Sequence, residues 1–301
     1  MSAAPIQFYN RLTRRIETES VYGEAPLRFV YENPAGRLAL RALVRRRLFS
    51  RWYGARMDSP ASRARIAPFI EKFGVDAGEF AGPVESFATF NEFFSRRLKP
   101  GARPLAGGDE TLVFPADGRH LVIPDLSLET NFWVKGLRFD LRALLQDDAA
   151  ARRYEGGAML ISRLCPVDYH RFHFPCAGIP GASRLINGPL YSVSPIALAR
   201  RPSILWENKR VVTQLDDTPA GAVLLLEVGA TCVGSIVQTC APGVRAAKGD
   251  EKGYFRFGGS CFITIFEPGR ARFAADLMQH SAAGREVYAR MGDAAAEALT
   301  A

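Results

Sequence analysis

Residues 255–262 have the sequence FRFGGSCF, which places two glycines and Ser260 inside an apolar run that otherwise predicts a buried strand. Strand-forming residues continue from Phe262 to Phe266. Glycine weakens a strand interior, so a pair of glycines there indicates a special backbone requirement. One interpretation is a β-bulge or a tight corner. The other is a backbone approached closely by a reacting group, as in a chain that cuts itself before Ser260.

Further motifs favour the second interpretation because they occur in a characteristic order. They are FNEFF (90–94), PADG (115–118), DYHRFH (168–173), ENKR (207–210), VGATCVGSI (228–236) and KGDEKGYFRFGGS (248–260), preceded by FYNR (8–11) and VYGE (21–24). Together they resemble the conserved blocks of the phosphatidylserine decarboxylase family, specifically its branch with a Gly-Gly-Ser processing motif. In that family the backbone breaks between the last glycine and the serine, and the serine becomes an N-terminal pyruvoyl group.

The resemblance implies cleavage between Gly259 and Ser260. A serine hydroxyl is a weak nucleophile and needs a base within reach. Its target is the carbonyl of Gly259, and Gly258 and Gly259 give the backbone the freedom to present that carbonyl. The sequence departs from the commonest family motif, Leu-Gly-Ser-Thr, at Gly258 and at Cys261.

The resemblance also implies a charge-relay trio of Asp117, His173 and Ser260, in which Asp117 orients the imidazole and His173 takes the proton. His170 matches the family histidine that is implicated in decarboxylation, where it delivers a proton. Two histidines in one short block favour function over structure. Since they are three residues apart, the sequence leaves open which of them faces Ser260. No third ligand accompanies them, so we expect no metal.

The implied cofactor is the pyruvoyl group that Ser260 becomes. It forms a Schiff base with the substrate amine and takes up the electrons released with CO2, as pyridoxal phosphate does elsewhere. The sequence has no phosphate-binding loop or dinucleotide-binding motif in a suitable context, which argues against a nucleotide cofactor.

Charge and hydropathy indicate a membrane partner. The first 60 residues hold eleven arginines against five carboxylates, a net charge of +6 out of +8 for the whole chain. Residues 35–56 predict a basic amphipathic helix with aromatic residues, suited either to an anionic phospholipid surface or to packing on the catalytic domain. Nucleic-acid binding is disfavoured because no recognition motif accompanies the charge. Neither a secretory signal nor a membrane-spanning run is evident, so we expect peripheral attachment to the cytoplasmic side of the cell membrane.

The fold class predicted is α+β. Residues 1–105 form a helical, basic, membrane-associating region, with helices expected near 59–73 and 87–98. Residues 106–301 form a β-rich catalytic domain like a sandwich or barrel, with short strands, a helix over 137–145 and a closing helix over 270–291. Self-cleavage would give chains 1–259 and 260–301, which stay associated. The resemblance further implies a homodimer.

The function expected is decarboxylation of phosphatidylserine to phosphatidylethanolamine by a self-processing pyruvoyl enzyme. Three alternatives remain open at this stage. One is decarboxylation of a free, aromatic amino acid on the same fold. Another is a non-processing lipid-binding relative, against which Asp117, His173 and Ser260 argue. The last is a hydrolase that uses Cys261, which lacks a nucleophile elbow.

Overall fold

The computed structural model describes residues 5–21, 23–40, 47–128, 139–231, 236–258 and 260–300. It combines short N-terminal helices with one large mixed sheet and two small sheets, so the predicted α+β class is confirmed. Across the described ranges, we find no helix with the length and apolar character needed to cross a bilayer.

The helices of the described part are short, and the longest has eleven residues. They are α1 (Glu24–Glu32), α2 (Pro34–Ala39), α3 (Arg47–Met57), α4 (Ile66–Phe73), α5 (Phe90–Phe94), α6 (Leu141–Leu145), α7 (Asp148–Arg153), α8 (Pro195–Arg200), α9 (Ile204–Glu207) and α10 (Ala275–Ala282). The N-terminus of helix α5 is capped by two hydrogen bonds. Glu92 N–H donates to Thr89 Oγ1 at 3.2 Å, and Ala88 N–H donates to the Glu92 carboxylate at 2.7 Å. Such reciprocal capping fixes the direction in which a short helix presents its side chains.

The strands fall into three sheets. They are β1 (Gln7–Asn10), β2 (Arg15–Thr18), β3 (Thr111–Val113), β4 (Gly118–Ile123), β5 (Ala158–Leu164), β6 (Arg171–His173), β7 (Ile179–Pro180), β8 (Arg184–Ile186), β9 (Arg210–Thr218), β10 (Gly221–Val228), β11 (Ile236–Gln238), β12 (Glu251–Phe255), β13 (Ser260–Phe266), β14 (Ala271–Phe273), β15 (Glu286–Ala289) and β16 (Ala294–Ala298). The large sheet has the order β2-β1-β15-β4-β5-β13-β10-β9-β7, with β8 also paired to β9. The small sheets are β11-β12-β6 and β14-β16-β3.

Strand β13 lies at the centre of the large sheet, between β5 and β10. Ser260 pairs with Leu164, and Phe262 pairs with Glu227. All seven residues of β13 are buried because both faces of the strand are covered. Ile263 belongs to the apolar cluster on one face and Phe262 to the cluster on the other. This double burial accounts for the continuous apolar run in the sequence.

A third apolar cluster joins the N-terminal helices to the segment before Ser260. Phe257 packs on Phe94 and Phe90, with ring centroids 5.0 Å and 5.2 Å apart. Phe69 and Phe93 belong to the same cluster. The phenylalanines of 87–98 are therefore core residues, and this core also holds the segment between β12 and the glycine pair.

Several predicted boundaries are wrong. The helix expected over 87–98 is only α5, because the chain then turns to pair Leu98 with Phe80. The closing helix over 270–291 shrinks to α10, since its two flanks become β14 and β15 and join sheets. The alanine-rich end is also a strand, β16, paired with β3 and β14. The start of the helix predicted over 137–145 and residues 41–46 of the basic helix lie outside the described residues.

An N-terminal hairpin escaped the sequence prediction. Strands β1 and β2 pair with each other, and β1 adds in parallel to β15 at the edge of the large sheet. The first part of the region 1–105 is therefore attached to the sheet that contains Ser260. The hairpin also positions α1, which follows it in the chain, next to that sheet.

Candidate active site

Ser260 is fully buried at the first position of β13. Two residues earlier, Gly258 has a φ of 132°, a backbone conformation that residues with a side chain rarely adopt. In this conformation a residue with a side chain would strain the backbone at position 258. Gly259 lies outside the described residues.

The hydroxyl of Ser260 faces His170. Their Oγ and Nδ1 atoms are 3.3 Å apart, and His170 Nε2 lies 2.8 Å from the carbonyl oxygen of Cys165. A carbonyl oxygen only accepts, so the neutral ring carries its proton on Nε2 and directs the Nδ1 lone pair at Ser260. Burial lowers the pKa of His170 to about 3, although the bond to Cys165 opposes this. The ring is therefore neutral at pH 7 and able to act as a base.

Helix α5 holds the His170 ring in place. Phe94, at its last position, stacks on the imidazole with centroids 3.8 Å apart and planes 24° apart. Phe94 itself is fully buried. The position of Phe94 directly after other apolar residues gave no signal in the sequence of a contact with the histidine.

His173 points elsewhere. Its Nδ1 lies 2.9 Å from the carbonyl oxygen of Gly249, which accepts a hydrogen bond from this nitrogen. Its Nε2 is buried and has no hydrogen-bond partner among the described residues. The ring of Tyr169 stacks at 5.8 Å. Burial lowers the pKa of His173, while the bond to Gly249 and the negative charges of Glu251 and Asp117 oppose that shift.

Asp117 is also buried, and its partners are not histidines. Arg103 donates to it from Nε at 2.9 Å and from Nη2 at 2.6 Å. The backbone N–H of Met291 donates to the same carboxylate at 2.8 Å. Asp117 thus fastens Arg103 and the segment after β15 to the turn before β4.

The hydrogen-bonded trio of Asp117, His173 and Ser260 is therefore not present in the described structure, and His170 takes the place expected for His173. The reason is the alternation of side chains in extended backbone. Residues 170 and 173 are an odd number of positions apart, so the two rings lie on opposite faces of the segment. Only one of them can face Ser260.

A cavity of about 350 Å³ lies beside Gly258 and Phe257. Its walls include apolar residues of α1 and α3, namely Leu27, Val30, Phe49 and Tyr53. Glu19, Arg163 and Cys165 line another part of it. The cavity is thus mainly apolar, with a charged group close to the segment before Ser260.

The charged part of the cavity belongs to a buried network. Arg163 Nη2 lies 2.5 Å from both Glu19 Oε2 and Glu286 Oε2. Burial opposes ionisation of Glu19, but the guanidinium groups of Arg163 and Arg119 outweigh it and lower its pKa to about 2. This network was not predicted from the sequence, although an arginine inside the apolar run 159–164 was an available signal.

No group of three histidine, cysteine or acidic side chains suited to a metal ion occurs in the ranges that the structure describes.

Comparison with known proteins gives a consistent result. Residues 90–296 match the family model described as phosphatidylserine decarboxylase. Similar curated proteins include the phosphatidylserine decarboxylase proenzyme of Clostridium beijerinckii, 41% identical over 288 residues that cover 96% of this chain and 97% of the relative. The proenzyme of Chlamydia muridarum is 45% identical over 292 residues, with 97% of each chain covered. That of Ruminiclostridium cellulolyticum is 44% identical over 289 residues, with 96% of each covered.

Proposed function

The chain belongs to the phosphatidylserine decarboxylase family, and we propose that it performs the reaction named for that family. It is a proenzyme that cuts itself before Ser260 and converts phosphatidylserine to phosphatidylethanolamine and CO2. Its cofactor is the pyruvoyl group derived from Ser260. The observation that carries this conclusion is the buried contact of 3.3 Å between Ser260 Oγ and His170 Nδ1, just after a glycine with a φ of 132°.

We assign the base of the cleavage step to His170. The Ser260 hydroxyl gives its proton to Nδ1, and Oγ attacks the carbonyl carbon of residue 259. The bond from that carbon to the nitrogen of residue 260 breaks, the nitrogen takes a proton, and an ester joins the two parts. Loss of the α-proton of residue 260 then expels the carboxylate of residue 259 and leaves dehydroalanine. Its imine form adds water and releases ammonia, which leaves the pyruvoyl end.

The roles of Asp117 and His173 stay part of the proposal. A trio with Ser260 requires His173 to leave the Gly249 carbonyl, with which it shares a 2.9 Å contact. The contacts of the uncut chain favour His170 as the base for cleavage. His173, with its buried Nε2, then serves a later proton transfer.

The surroundings of position 260 fit a pyruvoyl group. The side chain there is fully buried and has a neutral imidazole as neighbour, which suits an uncharged carbonyl that must be shielded from water. When present, the group supplies an electron sink for the pair released with CO2. His170 is placed to hold a proton next to the pyruvoyl group and to return that proton to the substrate carbon that loses CO2.

The N-terminal helices support a lipid substrate delivered from a membrane. Helices α1 and α3 line the cavity beside Gly258 with one face. They expose Phe29 (51%), Leu48 (76%) and Trp52 (56%) on another. We propose that this exposed face rests on an anionic bilayer, with nearby arginines at the headgroups, and that phosphatidylserine enters the cavity from there.

The side of the membrane is a further part of the proposal. Four cysteines of the described part are unpaired, as is usual in a reducing compartment, and this supports peripheral attachment at the cytoplasmic face.

The first test is the intact mass of the purified protein under denaturing conditions. We expect chains 1–259 and 260–301, the shorter one carrying a carbonyl that reacts with a hydrazide. A single chain that stays uncut on long incubation and does not react would refute the proposal.

The second test concerns the substrate. The processed enzyme is supplied with vesicles containing phosphatidylserine or with free aromatic amino acids, and CO2 is measured. We expect CO2 and phosphatidylethanolamine from the vesicles alone. CO2 from the amino acids alone would instead identify the alternative decarboxylase.

A further inference from the structure

A buried ion pair, Lys252 and Glu227, lies outside the site described above. Both side chains are fully buried, and Lys252 Nζ is 2.7 Å from Glu227 Oε1. The same ammonium lies 3.0 Å from Thr213 Oγ1 and 2.7 Å from Gln238 Oε1, so its three hydrogens have three acceptors. Gln238 Nε2 donates to the other carboxylate oxygen of Glu227 at 2.7 Å.

The four residues of this cluster come from four strands and connect two sheets. Lys252 (β12) and Gln238 (β11) belong to a small sheet, whereas Glu227 (β10) and Thr213 (β9) belong to the large sheet. Strand β12 leads directly into the segment before Ser260. Strand β10 pairs with β13, which begins at Ser260. The ion pair therefore joins β12, which precedes the cleavage site, to the large sheet, which holds Ser260.

The backbone at Lys252 is specialised for this contact. Glu251 pairs with His173 and Gly253 with Phe172, so Lys252 is the extra residue of a β-bulge. At Gly253 an added Cβ would lie 2.1 Å from the carbonyl oxygen of Val237, which excludes any larger residue. A bulge redirects a side chain, here towards the large sheet, and at the same time fixes the register of β12 against β6.

The register of β12 also controls the position of the base. The N–H of Phe255, the last residue of β12, donates to the carbonyl oxygen of His170 at 2.9 Å. A slip of β12 would therefore move both His170 and the segment that carries the scissile carbonyl, while Ser260 stays fixed in β13.

Stability alone does not account for such a pair. Removing two charges from water costs several kcal/mol per ion, and apolar residues of similar volume are often equally stabilising. Buried ion pairs are best attested as devices that fix register. We propose that Lys252 and Glu227 are positioning residues for self-cleavage, which hold the carbonyl before Ser260 in reach of its hydroxyl. The inference rests on the proposed function, since it concerns the first step of that function.

The test separates cleavage from folding. The double variant Lys252→Met with Glu227→Leu replaces the pair by apolar side chains. Its thermal midpoint is measured in a Ser260→Ala background, which cannot be cut. Its cleavage is followed during cell-free synthesis with Ser260 intact. We expect a midpoint no more than about 5 °C below that of the parent, because apolar replacements of buried pairs are often neutral or stabilising. We expect cleavage at least about tenfold slower, which is 1.4 kcal/mol in the barrier. Cleavage at the parental rate would overturn the proposal.

A milder variant decides the matter if the double variant fails to fold. Thr213→Val removes one acceptor of the ammonium and the partner of Ser183 Oγ with little change of shape. We expect slower cleavage and a midpoint lowered no further than in the control variant below. Leu277→Ala, in α10, is the control, since it destabilises the core without touching the pair and is expected to cleave normally. Equal slowing in both variants would assign the effect to stability and overturn the positioning role. An uncut wild type would instead refute the proposed function itself.

Discussion

The rings of Phe94 and His170 lie face to face, with centroids 3.8 Å apart. Phe94 is the last residue of a capped helix and is fully buried, so its ring has little freedom to turn. The second imidazole nitrogen meets the backbone carbonyl of Cys165 at 2.8 Å. A helix of the N-terminal region and one backbone carbonyl thus direct the base at Ser260, in a position where hydrolases commonly use a carboxylate.

Phe94→Leu is therefore expected to slow self-cleavage about tenfold or more, because the imidazole loses the surface that fixes its plane. Phe93→Leu is the matched control, since Phe93 is equally buried in α5 but its ring contacts Arg96, whereas that of Phe94 stacks on His170. Both changes are expected to destabilise the fold by about 1–3 kcal/mol. Cleavage is measured as the rate at which the intact mass splits into two. Equal rates for the two variants would contradict the assigned role of Phe94.

His170→Asn is expected to abolish cleavage, whereas His173→Asn is expected to leave a chain that still cuts itself. The reason is the 3.3 Å contact that only His170 makes with Ser260. A gel of the freshly synthesised proteins distinguishes uncut from cut chains. Cleavage by His170→Asn and none by His173→Asn would restore the trio that contains Asp117.

The residues of this site could largely be predicted from the sequence, but not their pairing. Ser260, Gly258 and both histidines were found from motifs, since chemistry restricts residue types there. The choice between His170 and His173 depends on which face of an extended segment meets β13, and that follows from the pairing of β6 with β12. Such long-range pairing leaves no local trace in a single sequence.

The fold likewise contains elements that the local sequence predicts and others that depend on long-range pairing. The end of the helix predicted over 59–73 is correct because its cap is local, with a φ of 61° at Gly74, although residues 60–65 form a 3₁₀ helix and the α-helix begins only at Ile66. The segment 286–298 includes the end of the closing helix predicted over 270–291. It forms β15 and β16 since partners far away in the chain, β4 and β3, need strands beside them.

The stability of the uncleaved protein is expected to fall as pH drops below about 6.5. Burial lowers the pKa of His170 and of His120 from 6.5 to about 3, so the folded state binds fewer protons than the unfolded one. Their contribution is complete above pH 6.5 and is lost as pH falls towards 3, by up to about 1.4 kcal/mol per pH unit for each histidine.

The measurement is urea unfolding of Ser260→Ala protein between pH 5 and 7. Adding His170→Asn is expected to reduce the slope of the unfolding free energy against pH by up to about 1.4 kcal/mol per pH unit, which corresponds to one proton. Glu19 does not interfere in this window, because its pKa falls from 4.5 to about 2 on folding. A slope unaffected by the replacement would show that His170 is not buried in its neutral form.

Arg163→Met is expected to cost about 3–5 kcal/mol, because it leaves Glu19 and Glu286 buried without their common partner. Arg153→Met is the control. It removes an ion pair with Glu267 in which the arginine is half exposed, and such pairs contribute less than about 1 kcal/mol. Urea unfolding of both variants in the uncleavable background gives the comparison. Similar small losses would mean that the buried network does not act as one unit.

Membrane binding is expected to depend on the exposed apolar face of α3. Leu48→Glu combined with Trp52→Glu places two negative charges on side chains that are 76% and 56% exposed. Because both already face solvent, the fold is expected to be unaffected, while the loss of apolar area and the repulsion from anionic lipid oppose binding. Co-sedimentation with phosphatidylserine vesicles is expected to show at least about tenfold weaker binding, equal to 1.4 kcal/mol.

Leu185→Glu is the matched control for this surface, since Leu185 is 51% exposed on β8 and lies outside the N-terminal helices. It is expected to bind vesicles normally. Two rates separate membrane binding from chemistry. The α3 variant is expected to cut itself at the parental rate, because Ser260 and His170 are unchanged. It is expected to decarboxylate vesicle-bound substrate more slowly than the parent. Parental vesicle binding by the α3 variant would place the membrane contact on another face and leave the cavity between α1 and α3 without its proposed entrance.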